Sequence, residues 1–408
     1  MRSKANRRRS WLSKSVAYNI SQGFLADHSM GDLAKKLGTS EQQLQKSYFH
    51  DFGVTPVQFW ETQRLLLAKQ LLTNTSMPIR DVAKASGFCS VQEFNSALAE
   101  HYQLASGDFR KRQPKGVPRR LSEFWFRLNY HPPFDWEHLL NFLSKRAVPE
   151  VEAVEKSVYS RTVHIERGHD IYLGVVEVRN DAAERALFVR LSETLLPVSV
   201  LVLERIKLLF DLEADPAPIR RALGVLAAKR PGLRLPGSFD CFEMAVRAVL
   251  GQQISVAGGR TFIGRLAVRF GTPITTSCPL LIRLFPTPRR VASASIAQIR
   301  QIGIPEERAK TLRALARAIF KGLLLLEPGL NPEEVIGRLC KIRGIGEWTA
   351  QYIAMRALSS PDIFLHGDLV VRKVLGEEKR KKLLAKAEKW RPYRAYAVLQ
   401  LWDQAGEG

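Results

Sequence analysis

The feature that most constrains this chain is Gly344-Ile345-Gly346, set between two short segments that carry the spacing of amphipathic helices. Asn331 and Pro332 are a cap and a first-turn residue, and Ile336 and Leu339 give the segment they open one apolar face. Two glycines around an aliphatic residue break that helix, so the chain must turn and start another, from about Glu347 to Leu358. The predicted unit is a helix-hairpin-helix. Its second helix begins with amides that no carbonyl of the same helix can satisfy, an array that suits a phosphate. Arg343, Gly344, Ile345 and Gly346 are therefore the predicted phosphate-binding residues. Ten residues past that helix, a His366-Gly367-Asp368 loop leads into a helical segment, Leu369 to Leu375.

The anion follows from the charge. The chain has 408 residues and a formal net charge of +22, unevenly spread. Residues 1–120 hold 19 Lys and Arg against nine Asp and Glu, residues 121–235 sixteen of each, and residues 236–408 27 against 15. Two basic ends around a neutral middle predict a polyanion touched by both. With a phosphate-gripping hairpin in one of them, double-stranded DNA is the expected partner, held by its backbone. The bland alternative is a generally basic, solvated surface. A membrane is not expected, because no apolar run approaches the roughly 20 residues that span a bilayer and no basic amphipathic anchor stands out. The basic start MRSKANRRRS has no apolar segment behind it, so a soluble, cytoplasmic, nucleoid-associated monomer is expected. Cys89, Cys241, Cys278 and Cys340 are too scattered for a disulfide framework or a metal site, and neither metal nor cofactor is expected.

The length implies two to three domains. From Met30 to Arg112 the sequence reads as two helix-turn-helix units, with turns at Gly38-Thr39-Ser40 and Ser86-Gly87-Phe88, joined by a long amphipathic helix over Val57–Leu72. Their recognition helices would be Glu41–His50 and Val91–His101. Residues 113–120 are a linker by composition. The period then turns strand-like at Leu121–Leu128, Ser157–Glu166, Asp170–Val178 and Arg185–Leu191, with helices predicted at Asp135–Phe142 and Val198–Phe210. From Pro216 onward nearly everything reads as helix, broken at Gly251-Gln252-Gln253. The expected fold class is mainly α and multidomain. It comprises an N-terminal double helix-turn-helix (1–112), a small α+β middle domain (121–235) and an all-α helix-hairpin-helix domain (236–408).

Several stretches resemble known families. RLLLAKQLLTNTSMPIRDVAKASGF resembles the AraC-type DNA-binding domain, in the variant attached to Ada-type alkylation-response proteins; Gln103 and Ser106 stand where that family usually has Gly and Pro. LNYHPPFDWEHLLNFLSKRAVPEVE resembles the N-terminal domain of bacterial 3-methyladenine DNA glycosylase II. PGLRLPGSFDCFEMAVRAVLGQQISVAGG and RPYRAYAVLQLW extend that likeness to the C-terminus, and the hairpin with its trailing Asp368 is similar to the helix-hairpin-helix DNA glycosylases. The resemblance implies a TBP-like middle domain and a monofunctional glycosylase. Such an enzyme hydrolyses the N-glycosidic bond of alkylated, cationic bases such as 3-methyladenine and so begins base excision repair. Residues 30–112 would then meet promoter DNA.

The same resemblance assigns a site. Asp368 is the implied catalytic residue, since cleavage builds positive charge on the sugar and an adjacent ionised carboxylate stabilises it. An Asp before an apolar run is also an ordinary N-cap, and the two roles are compatible. Trp348, Tyr352, Trp402 and Phe142 match aromatic positions that line the family's base pocket. Their ring faces would attract a cationic base by roughly 0.5–2 kcal/mol per contact. Trp348 and Tyr352, four apart, share a helix face; read in isolation, aromatics at this spacing are more often core than pocket. The family tyrosine after the Asp is Leu369 here, and Trp348 stands where bifunctional relatives carry a Schiff-base lysine, so strand cleavage is not expected. Gln252, Gln253 and Ile254 match the tip that enters the duplex when the damaged nucleotide rotates out; otherwise they are a polar helix break. No acid for the departing base is evident, and His366 reads as a loop residue. The rival reading from another class is a sequence-specific transcription regulator of the alkylation response with a non-catalytic, glycosylase-like DNA clamp.

Overall fold

The computed structural model describes residues 4–74, 77–102, 106 and 124–406. The predicted linker 113–120, the turn around Gln103 and the first three positions of the strand predicted from Leu121 lie outside them. The chain forms two compact units. One is Met1–Arg127 with Val163–Val178 and Phe188–Glu204; the other is Leu128–Thr162, Arg179–Leu187 and Arg205–Gly408.

In the first unit both predicted helix pairs are present: Met30–Lys36 with Glu41–Phe52, and Ile79–Ala85 with Val91–Tyr102, on either side of the long helix Pro56–Asn74. Ser29 opens the first in a capping box with Asp32, and Ser40 caps the second. The turn between them uses Gly38 at φ 65°, where a side chain would be strained. The Arg64 guanidinium lies 4.2 Å from the Trp60 ring and 3.7 Å from the Phe88 ring, and pairs with Glu93 at 2.6 Å. It ties the second pair to the long helix. A helix that the sequence reading left out, Lys4–Ser21, buries Val16 and Ile20 against Leu33, Leu44 and Tyr48. Its run of basic residues masks two aliphatics one helical turn apart.

Five strands form one sheet in the order β1-β5-β4-β3-β2: β1 Phe124–Asn129, β2 Glu152–Glu155, β3 Val158–Arg167, β4 Asp170–Asp181 and β5 Ala186–Leu191. The four predicted strands are there. The unforeseen one, β2, is only four residues long and half glutamate, which hides its pattern. It pairs antiparallel with β3, Glu155 opposite Val158, through a turn with Lys156 at φ 48° and Ser157 at φ 60°.

The second unit carries the helices that matter for chemistry: Trp136–Arg146, Cys241–Leu250, Val256–Phe270, Glu306–Phe320, Pro332–Leu339, Glu347–Ala357, Leu369–Leu375 and Arg394–Gln404. Asp135, Asp240, Ser255, Asn331 and Asp368 each cap a helix start with a side-chain oxygen. A buried charge network locks Cys241–Leu250 to β2 and β3. Arg161 donates to Glu243 at 2.7 Å, Arg247 donates to both Glu152 and Glu243, and the Tyr159 hydroxyl donates to Glu152 at 2.6 Å. Burial alone would raise the Glu152 carboxyl, but Arg247 and Arg161 hold it down at about 2. Arg247 also donates to the carbonyl of Arg146 at 2.8 Å, which fixes the end of Trp136–Arg146. No described helix is long and apolar enough to cross a membrane.

Candidate active site

The hairpin has the predicted form. The Asn331 side chain accepts from the Glu333 amide at 3.0 Å, and Gly344 turns the chain at φ 92°. A Cβ on Gly344 would lie 2.0 Å from Oγ1 of Thr311, so two independent constraints demand glycine there. Ile345 is buried, whereas Gly346, at the N-cap, has open space where a Cβ would be and no side-chain cap. The Arg343 side chain is 92% exposed beside the hairpin, 3.4 Å from Glu307. The start of Glu347–Ala357 thus has no side-chain cap, and the exposed Arg343 guanidinium stands on the same hairpin.

Asp368 caps Leu369–Leu375, its Oδ1 accepting from the Val371 amide at 3.0 Å. The same carboxylate is 8% exposed and accepts from two indoles, Trp348 Nε1 to Oδ2 at 3.0 Å and Trp402 Nε1 to Oδ1 at 3.1 Å. A carboxylate offers about four acceptor positions, and three of them are filled. The helix cap and the site residue are one and the same. Asp368, Trp348, Tyr352, Trp402 and Phe142 all line one cavity of about 260 Å³. That is just below the ~300–1,000 Å³ range of small-molecule pockets.

Trp348 and Tyr352 stack with planes 5° apart and centroids at 5.3 Å, and Trp402 is tilted 52° to Tyr352 at 6.3 Å. Helical periodicity places the first two on one face, and only tertiary packing brings Trp402 and Phe142 to them. Cavity lining includes Ile254 and the arginines Arg146, Arg247, Arg260 and Arg356, and no lysine among the described residues. Sequence reading missed the arginines. A signal existed: Phe142 and Arg146 are four apart on one helix, as are Tyr352 and Arg356 on another, the spacing of a cation–π pair.

At the helix break Gln253 sits at φ 56° with an exposed side chain. Gln252 does something else: its amide donates to the Gly344 carbonyl at 3.0 Å and to Thr349 Oγ1 at 2.9 Å, bracing the hairpin. Arg308 in turn donates to the Gln252 carbonyl at 2.8 Å. His366 is buried outside the cavity lining, 3.6 Å from Glu347, and burial lowers its pKa. Leu369 is 78% exposed next to the carboxylate. Among the described residues no group of three His, Cys, Asp or Glu is arranged to hold a metal.

A hairpin between two helices, followed by a carboxylate in an aromatic cavity, defines a helix-hairpin-helix protein. Residues 246–390 match the HhH-GPD superfamily base excision DNA repair proteins, residues 125–240 the AlkA N-terminal domain and residues 33–112 a helix-turn-helix domain. The chain is 38% identical over 281 residues to DNA-3-methyladenine glycosylase 2 of Escherichia coli, an alignment covering 69% of this chain and 98% of the relative. It belongs to that glycosylase family. A second relative, from Mycobacterium tuberculosis, is described as a probable bifunctional transcriptional activator/DNA repair enzyme AlkA; it is 31% identical over 398 residues, 94% of this chain and 78% of the relative. The 3-methyladenine DNA-glycosylase structure from Archaeoglobus fulgidus superposes on 68% of this chain and 98% of its own, with a TM-score of 0.57 and 21% identity, a likeness of fold.

Proposed function

We propose that this protein is a monofunctional DNA glycosylase that hydrolyses the N-glycosidic bond of alkylated bases such as 3-methyladenine, acting on duplex DNA as a monomer. The observation that carries the reading is the Asp368 carboxylate, held by the indoles of Trp348 and Trp402 in a cavity of about 260 Å³. With three acceptor positions filled, the carboxylate cannot turn away, and the remaining one can face a sugar or a water. A fixed anion stabilises the oxocarbenium-like sugar without reorganising. The ring faces attract an electron-poor base. A base that leaves as a neutral molecule needs no acid, and among the described residues no lysine lines the cavity to form an imine with the sugar.

Supporting roles follow from position. Gln253 fills the gap left by the rotated nucleotide, Ile254 borders the cavity behind it, and Gln252 couples that tip to the phosphate-binding hairpin. Residues 1–112 form the module that meets other DNA, including promoter sequence, while residues 121–235 and 236–408 build the glycosylase. The test is release of 3-methyladenine from methylated DNA. Release no greater than that of an Asp368→Asn variant would sink the enzyme reading and leave the DNA-clamp regulator in its place.

A further inference from the structure

The cavity holds more positive charge than the reaction so far uses. Arg146 and Arg356 reach it from different helices and flank the Phe142 ring, with guanidinium carbons 3.7 Å and 4.9 Å from its centre. Their neighbour Arg247 is neutralised by Glu152 and Glu243. Among the described residues neither Arg146 nor Arg356 is within ion-pair distance of a carboxylate, and the one acid in the cavity, Asp368, is held by the indoles. Burial lowers the pKa of both guanidiniums, and Arg247 pushes each the same way.

The two differ in how many donors remain. Arg356 donates to the carbonyls of Pro236 and Gly237 and, at 2.9 Å, to the Tyr352 hydroxyl. Arg146 donates to the Phe142 carbonyl at 3.2 Å and so keeps most of its five N–H groups for something else in the cavity. Arg356 is buried and Arg146 half-buried; a cation withdrawn from water without a counter-charge is costly, and such groups persist where negative charge arrives during function.

We infer that Arg146, backed by Arg356, stabilises negative charge on the departing base, the counterpart of Asp368 on the sugar. The inference rests on the glycosylase reading. When the C1′–N bond breaks, its electron pair stays on the base nitrogen and the sugar is left as an oxocarbenium ion. Water adds its oxygen to C1′, and the proton it loses passes through solvent to the base. An uncharged base departs as an anion, and the guanidinium pair lowers that barrier by donating to its ring nitrogen or carbonyl oxygen. A cationic alkylated base is repelled by the pair as it enters and departs neutral, so relative to the base still stacked in the duplex it gains nothing net from the pair. Arg146 is thereby a specificity-determining residue that extends the site from cationic to neutral lesions.

The experiment compares single-turnover release from two duplexes with the full chain, one holding 7-methylguanine, which is cationic, and one holding hypoxanthine, which is neutral. Arg146→Gln is expected to slow hypoxanthine release by about 100-fold while changing 7-methylguanine release by less than about threefold. Arg146→Lys, which keeps the charge and the aliphatic stem, is expected to fall between, and it serves as the readout if the Gln variant does not fold. Equal losses on both duplexes would make Arg146 a packing residue and overturn the inference. So would weaker binding to an uncleavable duplex with a shallower salt dependence, the mark of a phosphate contact. Failure of the unaltered protein to release hypoxanthine while releasing 7-methylguanine overturns it as well. Failure to release either base, with Asp368→Asn no different, would instead sink the glycosylase reading itself.

Discussion

The indole of Trp402 donates to Oδ1 of Asp368 across 34 positions of sequence, at 3.1 Å, and the indole of Trp348 donates to Oδ2 at 3.0 Å. The rings that would hold the base also aim the carboxylate. Damage to a wall is therefore damage to the charge.

Trp402→Phe keeps an aromatic wall and removes one donor to an ionised carboxylate, a hydrogen bond in the class worth about 1.5–3 kcal/mol. Single-turnover release of 3-methyladenine should slow by roughly 10- to 100-fold, and binding to an abasic duplex should change little. Unchanged release would separate the carboxylate's orientation from its function.

The hairpin glycines should respond differently. Gly344→Ala combines φ 92° with a Cβ 2.0 Å from Thr311 Oγ1, so it should cost about 1–3 kcal/mol in urea unfolding and weaken DNA binding. Gly346→Ala meets no neighbour at φ −82° and should leave stability intact; weaker duplex binding without loss of stability would show a phosphate lying against that position.

Arg343→Ala removes a side chain that is 92% exposed. Affinity for undamaged duplex should fall, and the slope of log affinity against log salt should shrink by about one unit. An unchanged slope would take Arg343 off the phosphate backbone.

Asp211 offers a pH test. It accepts from the Tyr396 hydroxyl at 2.7 Å and the Leu235 amide at 2.9 Å, yet burial pushes its carboxyl up to about 6. A raised folded-state value means that the folded chain holds the proton more tightly than the unfolded one. The stabilisation is full below about pH 4 and is lost as pH rises through about 6, a change of about 3 kcal/mol. Urea unfolding of the unaltered protein and Asp211→Asn at pH 4.5 and pH 7 should show the gap between them moving toward the variant at the higher pH. A gap independent of pH would place the carboxyl in a more hydrated setting.

Much of this is legible in the amino-acid sequence. The Gly344-Ile345-Gly346 turn, the caps at Asn331 and Asp368, four strands of the sheet and both helix-turn-helix pairs follow from turn chemistry and apolar period. The helix Lys4–Ser21 escaped because two buried aliphatics are a weak signal among basic residues, and β2 because four residues carry almost none. Gln252 reads as part of an intercalating tip, yet its amide is turned to a carbonyl 92 positions away.

The amino-acid sequence by itself determined where helices begin and break, that Asp368 caps the helix after the hairpin, and which rings share a helix face. Those choices depend on neighbours within a few residues. Tertiary structure alone decided that two indoles grip one carboxylate, that Phe142 joins them, and that Arg146 and Arg356 face one cavity without a counter-charge. The reason is that each of these is a meeting of separate helices, fixed by how buried faces pack together and invisible to any local period.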